Sequence, residues 1–296
     1  MQATVSEDPR PPSIAAPFCA LLLGAVAMGA SPIFVRLADV GPFTSAFWRV
    51  ALALPVLYGW MRLSERGRAG TVRRFPRSTL WAGAAFAGDL FFWHLSIVTT
   101  TVADATLFAT TAPIWVVVFG WLLLHKRAAA GTLAGLGLCL LGGAALLAQS
   151  LHAGVGTARG DLFGLVTGVF FGLYFLAVQA ARNEGRSAAR VTFEASLITA
   201  VVLLLAALGL EHHLLPRTLH GLLALVALAW ISHAGGQGLL AVALGHLPAT
   251  FSSLVIFLEA IAAACMAWIL LGEPVSLIQA GGGLAILAGI YVARPR

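Results

Sequence analysis

Three ionisable residues lie deep inside strongly apolar stretches of this sequence, far from the polar segments that separate those stretches. They are Asp89, His233 and Glu259. At a helical rise of about 1.5 Å per residue, each lies roughly 13–17 Å from one end of its stretch. Ionisable groups at such a depth usually face a cavity or one another, and they mark sites for ions or small solutes. These residues therefore predict a polar binding site that is enclosed by helices.

Each of these residues also has a structural interpretation. Asp89 can accept hydrogen bonds from neighbouring helices or pair with Arg49, and His233 can be a core histidine with its own partners. Glu259 can serve helix packing instead of binding or gating. Arg49 and Glu194 lie nearer to the ends of their stretches, so both are interpreted as residues that form ion pairs or lock helices together.

Aromatic and polar side chains at helical spacing extend the predicted site. Trp230, His233 and Gln237 follow an i, i+3, i+7 pattern, which places them on one face of an α-helix. A cavity lined by aromatic rings and a few polar groups suits a small amphipathic solute. The residues predicted to bind or gate that solute are Asp89, Trp93, His94, Thr110, Trp115, Tyr174, His233, Gln237 and Glu259.

The composition indicates that lipid, not water, surrounds most of the chain. Of 296 residues, 59% are hydrophobic and 10% are charged, against roughly 25% charged in soluble domains. The net charge of +6 does not indicate a nucleic-acid partner, because the basic residues lie in short loops between apolar stretches. Cys19, Cys139 and Cys265 are far apart within apolar stretches, which fits neither a metal site nor a disulfide framework. No cofactor is expected.

A transmembrane helix needs about 20 mainly apolar residues, and ten stretches meet that need. They are 16–37, 43–62, 79–98, 103–124, 130–149, 160–180, 189–209, 220–244, 249–271 and 276–293. The first is too long for the apolar part of a signal peptide, so it is interpreted as an uncleaved helix. Basic residues concentrate in the loops that lie on the same side of the membrane as the N-terminus, which predicts that both termini are cytoplasmic. The expected fold is an all-α integral membrane protein of ten transmembrane helices in the inner (plasma) membrane.

The sequence also repeats itself. Residues 103–148 align with 250–295, so that Trp121 meets Trp268. With five spans in each half, the second half is inverted relative to the first, as in many secondary transporters whose substrate site lies at the midplane between the halves. The predicted organisation is a cytoplasmic tail at 1–15, a first five-helix repeat at 16–150 and a second, inverted repeat at 160–293.

Three segments carry motifs that are more specific than their apolar character. Residues 29–36 read Gly-Ala-Ser-Pro-Ile-Phe-Val-Arg, and residues 42–49 end in Phe-Trp-Arg. Residues 258–274 run from Leu-Glu-Ala to Leu-Leu-Gly-Glu-Pro, with Ala260 in place of a usual proline. Together they resemble the drug/metabolite transporter superfamily, in its EamA-domain branch. The resemblance implies two related five-helix repeats and export of amino acids and other metabolites, as in the YddG-type exporters of aromatic amino acids.

These observations favour a secondary transporter that exports small metabolites by alternating access through a central midplane cavity. Amino acids, aromatic and other neutral ones, are the preferred substrates. The alternatives are a multidrug or other metabolite exporter of the same fold, a channel, or an intramembrane enzyme. Enzyme activity is disfavoured because the sequence lacks HExxH, GxSxG and GxGD motifs.

The expected partners are a small-molecule substrate and membrane lipid. Gly131, Gly135 and the glycines of 281–283 permit close helix contact, and they are assigned to packing or to a homodimer contact.

Overall fold

The computed structural model describes residues 15–66, 75–100, 102–151, 157–271 and 275–295. Most of the predicted N-terminal tail, and Glu273 and Pro274 of the closing motif, lie outside these ranges. The described secondary structure is helical, without a strand. In chain order the helices are α1 (Ala15–Gly29), α2 (Ser31–Leu37), α3 (Pro42–Ala51), α4 (Leu54–Ser64), α5 (Arg77–Thr99), α6 (Val102–Ala109), α7 (Ala112–Leu124), α8 (Ala130–Leu151), α9 (Ala158–Asn183), α10 (Ala188–Leu210), α11 (Leu219–Ala227), a π-helical segment (Leu228–Gln237), α12 (Gly238–Ala243), α13 (Ala249–Val255), α14 (Leu258–Leu271) and α15 (Leu277–Ala293).

Several of the predicted spans are interrupted α-helices. Proline lies in the first turn after the break in three of them: Pro32 in α2, Pro55 in α4 and Pro113 in α7. Proline has no N–H to donate, and its ring collides with the carbonyl four residues earlier, so the helix ahead of it ends or bends. The sequence itself therefore accounts for these breaks.

The break between α13 and α14 has no such proline, yet it falls at the equivalent place in the repeat. Phe257 lies in this break, and it aligns with Thr110 in the break between α6 and α7. Ala260 stands where the resemblance leads one to expect proline. The second half therefore has the interruption without a proline in the first turn after it.

The π-helical segment meets the break between α3 and α4. The indole N–H of Trp230, on the π segment, donates to the carbonyl of Leu52 at 3.1 Å. In a continuous helix that carbonyl would accept from an N–H four residues later. The tryptophan thus satisfies a backbone group that the break releases.

The α8 and α15 helices pack backbone against backbone through glycines. A Cβ atom on Gly289 would lie 2.6 Å from the carbonyl oxygen of Gly135, and one on Gly135 would collide with the carbonyl of Gly289. Gly142 and Gly282 form a second reciprocal pair, at 2.5 and 2.6 Å. Side chains would hold these helices apart, so the close approach depends on glycine.

A second glycine stripe lies on α9, where sequence analysis did not identify one. Gly164, Gly168 and Gly172 are spaced four residues apart and face α6 and α7. A Cβ atom on Gly172 would lie 2.7 Å from the Cβ of Trp115. The stripe brings α9 close to the break between α6 and α7.

Charged-type side chains are buried and large apolar side chains are exposed, the reverse of the distribution in a soluble protein. Arg49 and Asp89 are only 4% and 5% exposed, whereas Leu141 and Leu284 are 70% and 68% exposed. Lipid accepts apolar side chains and rejects isolated charges, so this distribution is that of a multi-pass membrane protein. Within the described residues, seven helical runs are long and apolar enough to span a membrane. They are Ala15–Leu37, Arg77–Thr99, Asp104–Leu124, Ala158–Asn183, Ala188–Leu210, Leu219–Ala243 and Ala249–Met266.

Candidate functional site

A narrow central cavity lies among the interrupted helices. The volume of the cavity that is open to the centre of a water molecule is about 50 Å³. That volume holds roughly three or four waters. Its lining comes mainly from residues at or beside the helix breaks: Met28, Gly29, Ser31, Pro32, Arg49, Asp89, Leu90, Trp93, Thr106, Ala109, Thr110, Thr167, Phe171, Gln237, Ile256 and Glu259.

Basic and acidic side chains both line this cavity. Arg49 comes from α3, Asp89 from α5 and Glu259 from the first turn of α14. The guanidinium of Arg49 lies over the ring of Trp93, 5.5 Å from its centroid, which is a cation–π arrangement. The ion pairs shorter than 4.0 Å in the described part of the chain lie elsewhere, at the junction of α4 and α10. The cavity charges are therefore neighbours that are not locked to each other.

Several polar atoms of the lining have no hydrogen-bond partner among the described residues. They are the Oγ of Ser31, the Nε of Arg49, the Oε1 of Gln237 and the Oε1 of Glu259. The amide nitrogen of Gln237 has a contact of 3.1 Å to the sulfur of Met28. Buried polar groups are normally paired, and groups that are not paired need a reason. Here they converge on one cavity, where a polar solute can pair with them.

Comparison with known proteins identifies the architecture. The EamA-like transporter family matches the chain twice, over residues 16–148 and 158–294. The chain belongs to the EamA-like transporter family. A relative from Archaeoglobus fulgidus, named as an uncharacterized transporter, is 26% identical over 275 residues, which are 93% of this chain and 94% of the relative. A solved crystal structure superposes with a TM-score of 0.80 at 17% identity, covering 95% of this chain and 98% of that one, which shows a shared fold.

The cavity of this EamA-like transporter contains five of the nine residues that the sequence predicted to bind or gate a solute. They are Asp89, Trp93, Thr110, Gln237 and Glu259. Arg49, predicted to have a structural role, also lines it. The sequence indicates how far Arg49 lies along its helix, but not that its side chain faces this space. Thr106 and Thr167 of the lining were not identified from the sequence, where a lone threonine in an apolar helix gives no signal.

The other four predicted residues lie beside the cavity and not on its wall. The imidazole of His94 contacts the carbonyl of Leu90 at 2.8 Å, within its own helix. The Nε2 of His233 pairs with the hydroxyl of Ser196 at 2.8 Å, whereas its Nδ1 has no hydrogen-bond partner among the described residues. Tyr174 stacks on Phe86 with ring centroids 4.6 Å apart, and Trp115 stacks on Phe119 at 5.9 Å.

Trp230 does not share a face with His233 and Gln237, contrary to the α-helical spacing. Trp230 is 54% exposed, whereas His233 and Gln237 are 0% and 2% exposed. The physical reason is the π-helical segment, whose wider turn changes which residues align along the helix.

Ion pairs and hydrogen bonds connect the α3–α4 region to α10 at both ends of α10. At its beginning, Glu65 pairs with Arg190, whose Nε lies 2.6 Å from a carboxylate oxygen, and Glu194 pairs with both Arg186 and Arg190. The hydrogen bond from Arg190 lowers the pKa of Glu65 below the usual 4.5. Glu194 is thus part of an ion-pair network, not of the cavity.

At the end of α10, carboxylates hold the starts of two helices. Glu211 accepts hydrogen bonds from the backbone N–H groups of Phe43 and Thr44, at 2.8 and 3.0 Å. Asp39 accepts from the N–H groups of Arg217 and Thr218, at 3.0 and 2.7 Å. Hydrogen bonding by Thr218 lowers the pKa of Asp39. A negative charge at a helix N-terminus pairs free N–H groups and complements the helix dipole.

Proposed function

We propose that this EamA-like transporter is a secondary transporter that exports small metabolites, amino acids foremost, by alternating access through the central cavity. The observation that carries the proposal is the presence of Arg49, Asp89 and Glu259 around one enclosed space. An amino acid carries an ammonium and a carboxylate. The guanidinium can pair with the carboxylate, while the two acidic side chains offer partners for the ammonium.

Aromatic and other neutral amino acids are the substrates that the rest of the lining favours. Trp93 and Phe171 supply flat apolar surface, and Leu90 and Ile256 add aliphatic surface. Such walls suit an uncharged side chain, because these four side chains offer a charge no partner of opposite sign. Thr110 and Gln237 offer neutral hydrogen-bonding groups for orientation.

Alternating access is supported by the size of the cavity and by the helices around it. Room for roughly three or four waters is less than an amino acid needs, so binding has to widen the cavity. The helices α1–α2, α6–α7 and α13–α14 are interrupted at the cavity wall, where they can bend. Discontinuous helices that meet at a substrate site are typical of transporters with repeated halves.

The proposal includes ten spans in two inverted five-helix repeats, with both termini cytoplasmic and the chain in the inner membrane. To the seven long apolar runs it adds α8, α15 and the interrupted pair α3–α4. The equivalent breaks in α6–α7 and α13–α14 support the repeat. The basic loops of the sequence support the orientation.

Efflux from proteoliposomes tests the proposed function. Vesicles containing the purified protein are loaded with labelled amino acids, other metabolites or cationic dyes, and efflux is measured with and without a pH gradient. We expect saturable efflux of neutral amino acids that is accelerated by unlabelled amino acid outside. Efflux of dyes without amino acids would establish the multidrug alternative, and a current that does not saturate would establish a channel.

A further inference from the structure

A second cavity, larger than the central one, lies at the end of the bundle where α7, α9 and α15 finish and α8 and α13 begin. About 660 Å³ of it admits the centre of a water molecule, against about 50 Å³ in the central cavity. Ligand pockets usually have volumes of about 300–1,000 Å³, so this cavity is of a size to hold a ligand without rearrangement. Nothing in the proposed transport mechanism uses it.

The rim of this cavity is basic. Lys126, Arg127 and Arg294 line it, and no acidic residue does so among the described residues. None of these three cations has an ion-pair partner within 4.0 Å among the residues that the structure describes. The guanidinium of Arg294 instead lies over the ring of Tyr291, 4.1 Å from its centroid. This distinguishes the rim from the start of α10, where the arginines are neutralised by glutamates.

The backbone holds two of these cations at the rim. His125 ends α7 in the left-handed conformation, with φ of 54°, and the N–H of Lys126 donates back to the carbonyl of Gly120 at 3.0 Å. The chain thus turns sharply after α7, and α8 begins at Ala130. A short, hydrogen-bonded turn keeps Lys126 and Arg127 next to Arg294 without a long flexible loop.

The walls below the rim are apolar. Val117, Leu176 and Phe251 line the cavity from three different helices. An adjoining cavity of about 290 Å³ shares Lys126 with it, so the polar end extends beyond the apolar one. A soluble anion requires only the basic rim. A molecule with a negative headgroup and a hydrocarbon chain uses both parts.

We propose that this basic cavity binds an anionic phospholipid, with its phosphate at Lys126, Arg127 and Arg294 and an acyl chain against Val117, Leu176 and Phe251. Basic pockets between transmembrane helices, at the level of the headgroups, bind acidic lipid headgroups by this combination of charge and apolar contact. A soluble phosphorylated anion shares the headgroup chemistry, and the experiment separates the two.

Native mass spectrometry of the purified protein in neutral detergent, titrated with phosphatidylglycerol or phosphatidylcholine, tests the proposal. We expect phosphatidylglycerol to bind more tightly than phosphatidylcholine. The double variant R127Q/R294Q should weaken phosphatidylglycerol binding about 30-fold, because each basic residue near an anionic headgroup contributes about a fivefold change. Phosphatidylcholine binding should not change.

A matched control is available at the other end of α9. Arg159 is exposed and lies over the ring of Phe163 at 5.5 Å, much as Arg294 lies over Tyr291. Arg217 is also exposed. R159Q/R217Q removes the same net charge from residues that do not line this cavity, and it should leave phosphatidylglycerol binding unchanged. Equal melting temperatures in lipid-free detergent would show that both double variants are folded.

Three results would overturn the proposal. One is unchanged phosphatidylglycerol binding by R127Q/R294Q, and another is equal weakening by R159Q/R217Q, which would indicate a diffuse effect of net charge. The third is displacement of the lipid by millimolar glycerol phosphate, with the same dependence on Arg127 and Arg294. That result would assign the cavity to soluble phosphorylated anions.

Discussion

The central cavity and the α8–α15 interface are both formed by facing helices, but they are filled in opposite ways. The cavity gathers Arg49, Asp89 and Glu259 without locking them into close ion pairs. The α8–α15 interface uses reciprocal glycine pairs, such as Gly135 with Gly289, and leaves no room for a side chain. A helix interface that serves stability excludes space, whereas one that serves a solute keeps polar groups and space at the expense of packing. This contrast predicts which residues serve stability and which serve transport.

The largest expected effect is the loss of stability when side chains are placed in the glycine interface. G135A/G289A puts methyl groups where each would lie under 3.0 Å from the opposite backbone. Overpacking typically costs about 1–3 kcal/mol at each of the two positions, which exceeds the gain of up to about 1 kcal/mol per position from replacing glycine in a helix. We expect a clearly lower melting temperature in detergent and unchanged substrate affinity in the remaining folded protein.

Gly137 provides the control within the same helix. A Cβ atom there meets nothing within 4 Å, so G137A should leave the melting temperature unchanged or raise it slightly. Equal melting temperatures for G135A/G289A and G137A would contradict the claim that the packing of α8 on α15 depends on these glycines.

A smaller free-energy effect, but a specific loss of transport, is expected from the cavity charges. Hydrogen bonds to charged groups contribute about 1.5–3 kcal/mol, so R49Q and E259Q should each reduce amino-acid efflux roughly 10- to 100-fold. Membrane abundance and the elution profile in size-exclusion chromatography should stay normal. R36Q is the control, because Arg36 is exposed and does not line the cavity. Full efflux by both R49Q and E259Q would show that the cavity is not the substrate site.

The smallest effect on stability is expected from substitution of Glu65. Unlike the ionisable residues of the cavity, Glu65 has an ion-pair partner. Its carboxylate is about one-fifth exposed and pairs with Arg190. Such a pair contributes about 0.2–1 kcal/mol. Because its pKa is lowered below 4.5 in the folded protein, the stabilisation is present above pH 4.5 and is lost as the pH falls through the lowered pKa.

Melting curves at several pH values test this. E65Q should be slightly less stable than wild type at pH 7, and the difference should shrink below about pH 4.5. E184Q, which removes an exposed carboxylate bonded to Ser78, is the control and should show no such trend. A difference between wild type and E65Q that stays constant down to pH 3 would contradict the assignment.

The sequence predicted the membrane fold, the family and much of the cavity, but not the orientation of individual side chains. Asp89 and Glu259 could be recognised because their neighbours are apolar, and a buried charge needs a special environment. His94 and His233 satisfied the same criterion, yet each has a local partner that the sequence does not reveal. Depth along a helix can be estimated from residue number, whereas the direction around the helix changes wherever the helix is broken or widened. Trp230 was misplaced for that reason.

The hydrogen bond between Trp230 and Leu52 joins two irregular stretches that belong to different halves of the chain. Each stretch departs from regular α-helix and is a place where its helix can bend. The hydrogen bond holds the two stretches next to each other. If the angle between α3 and α4 changes, either the hydrogen bond of the indole breaks or the π-helical segment moves with it. That segment contains Gln237, which lines the cavity. In the proposed alternating-access mechanism, this hydrogen bond would couple motion at the break between α3 and α4 to the π-helical segment, and so to Gln237.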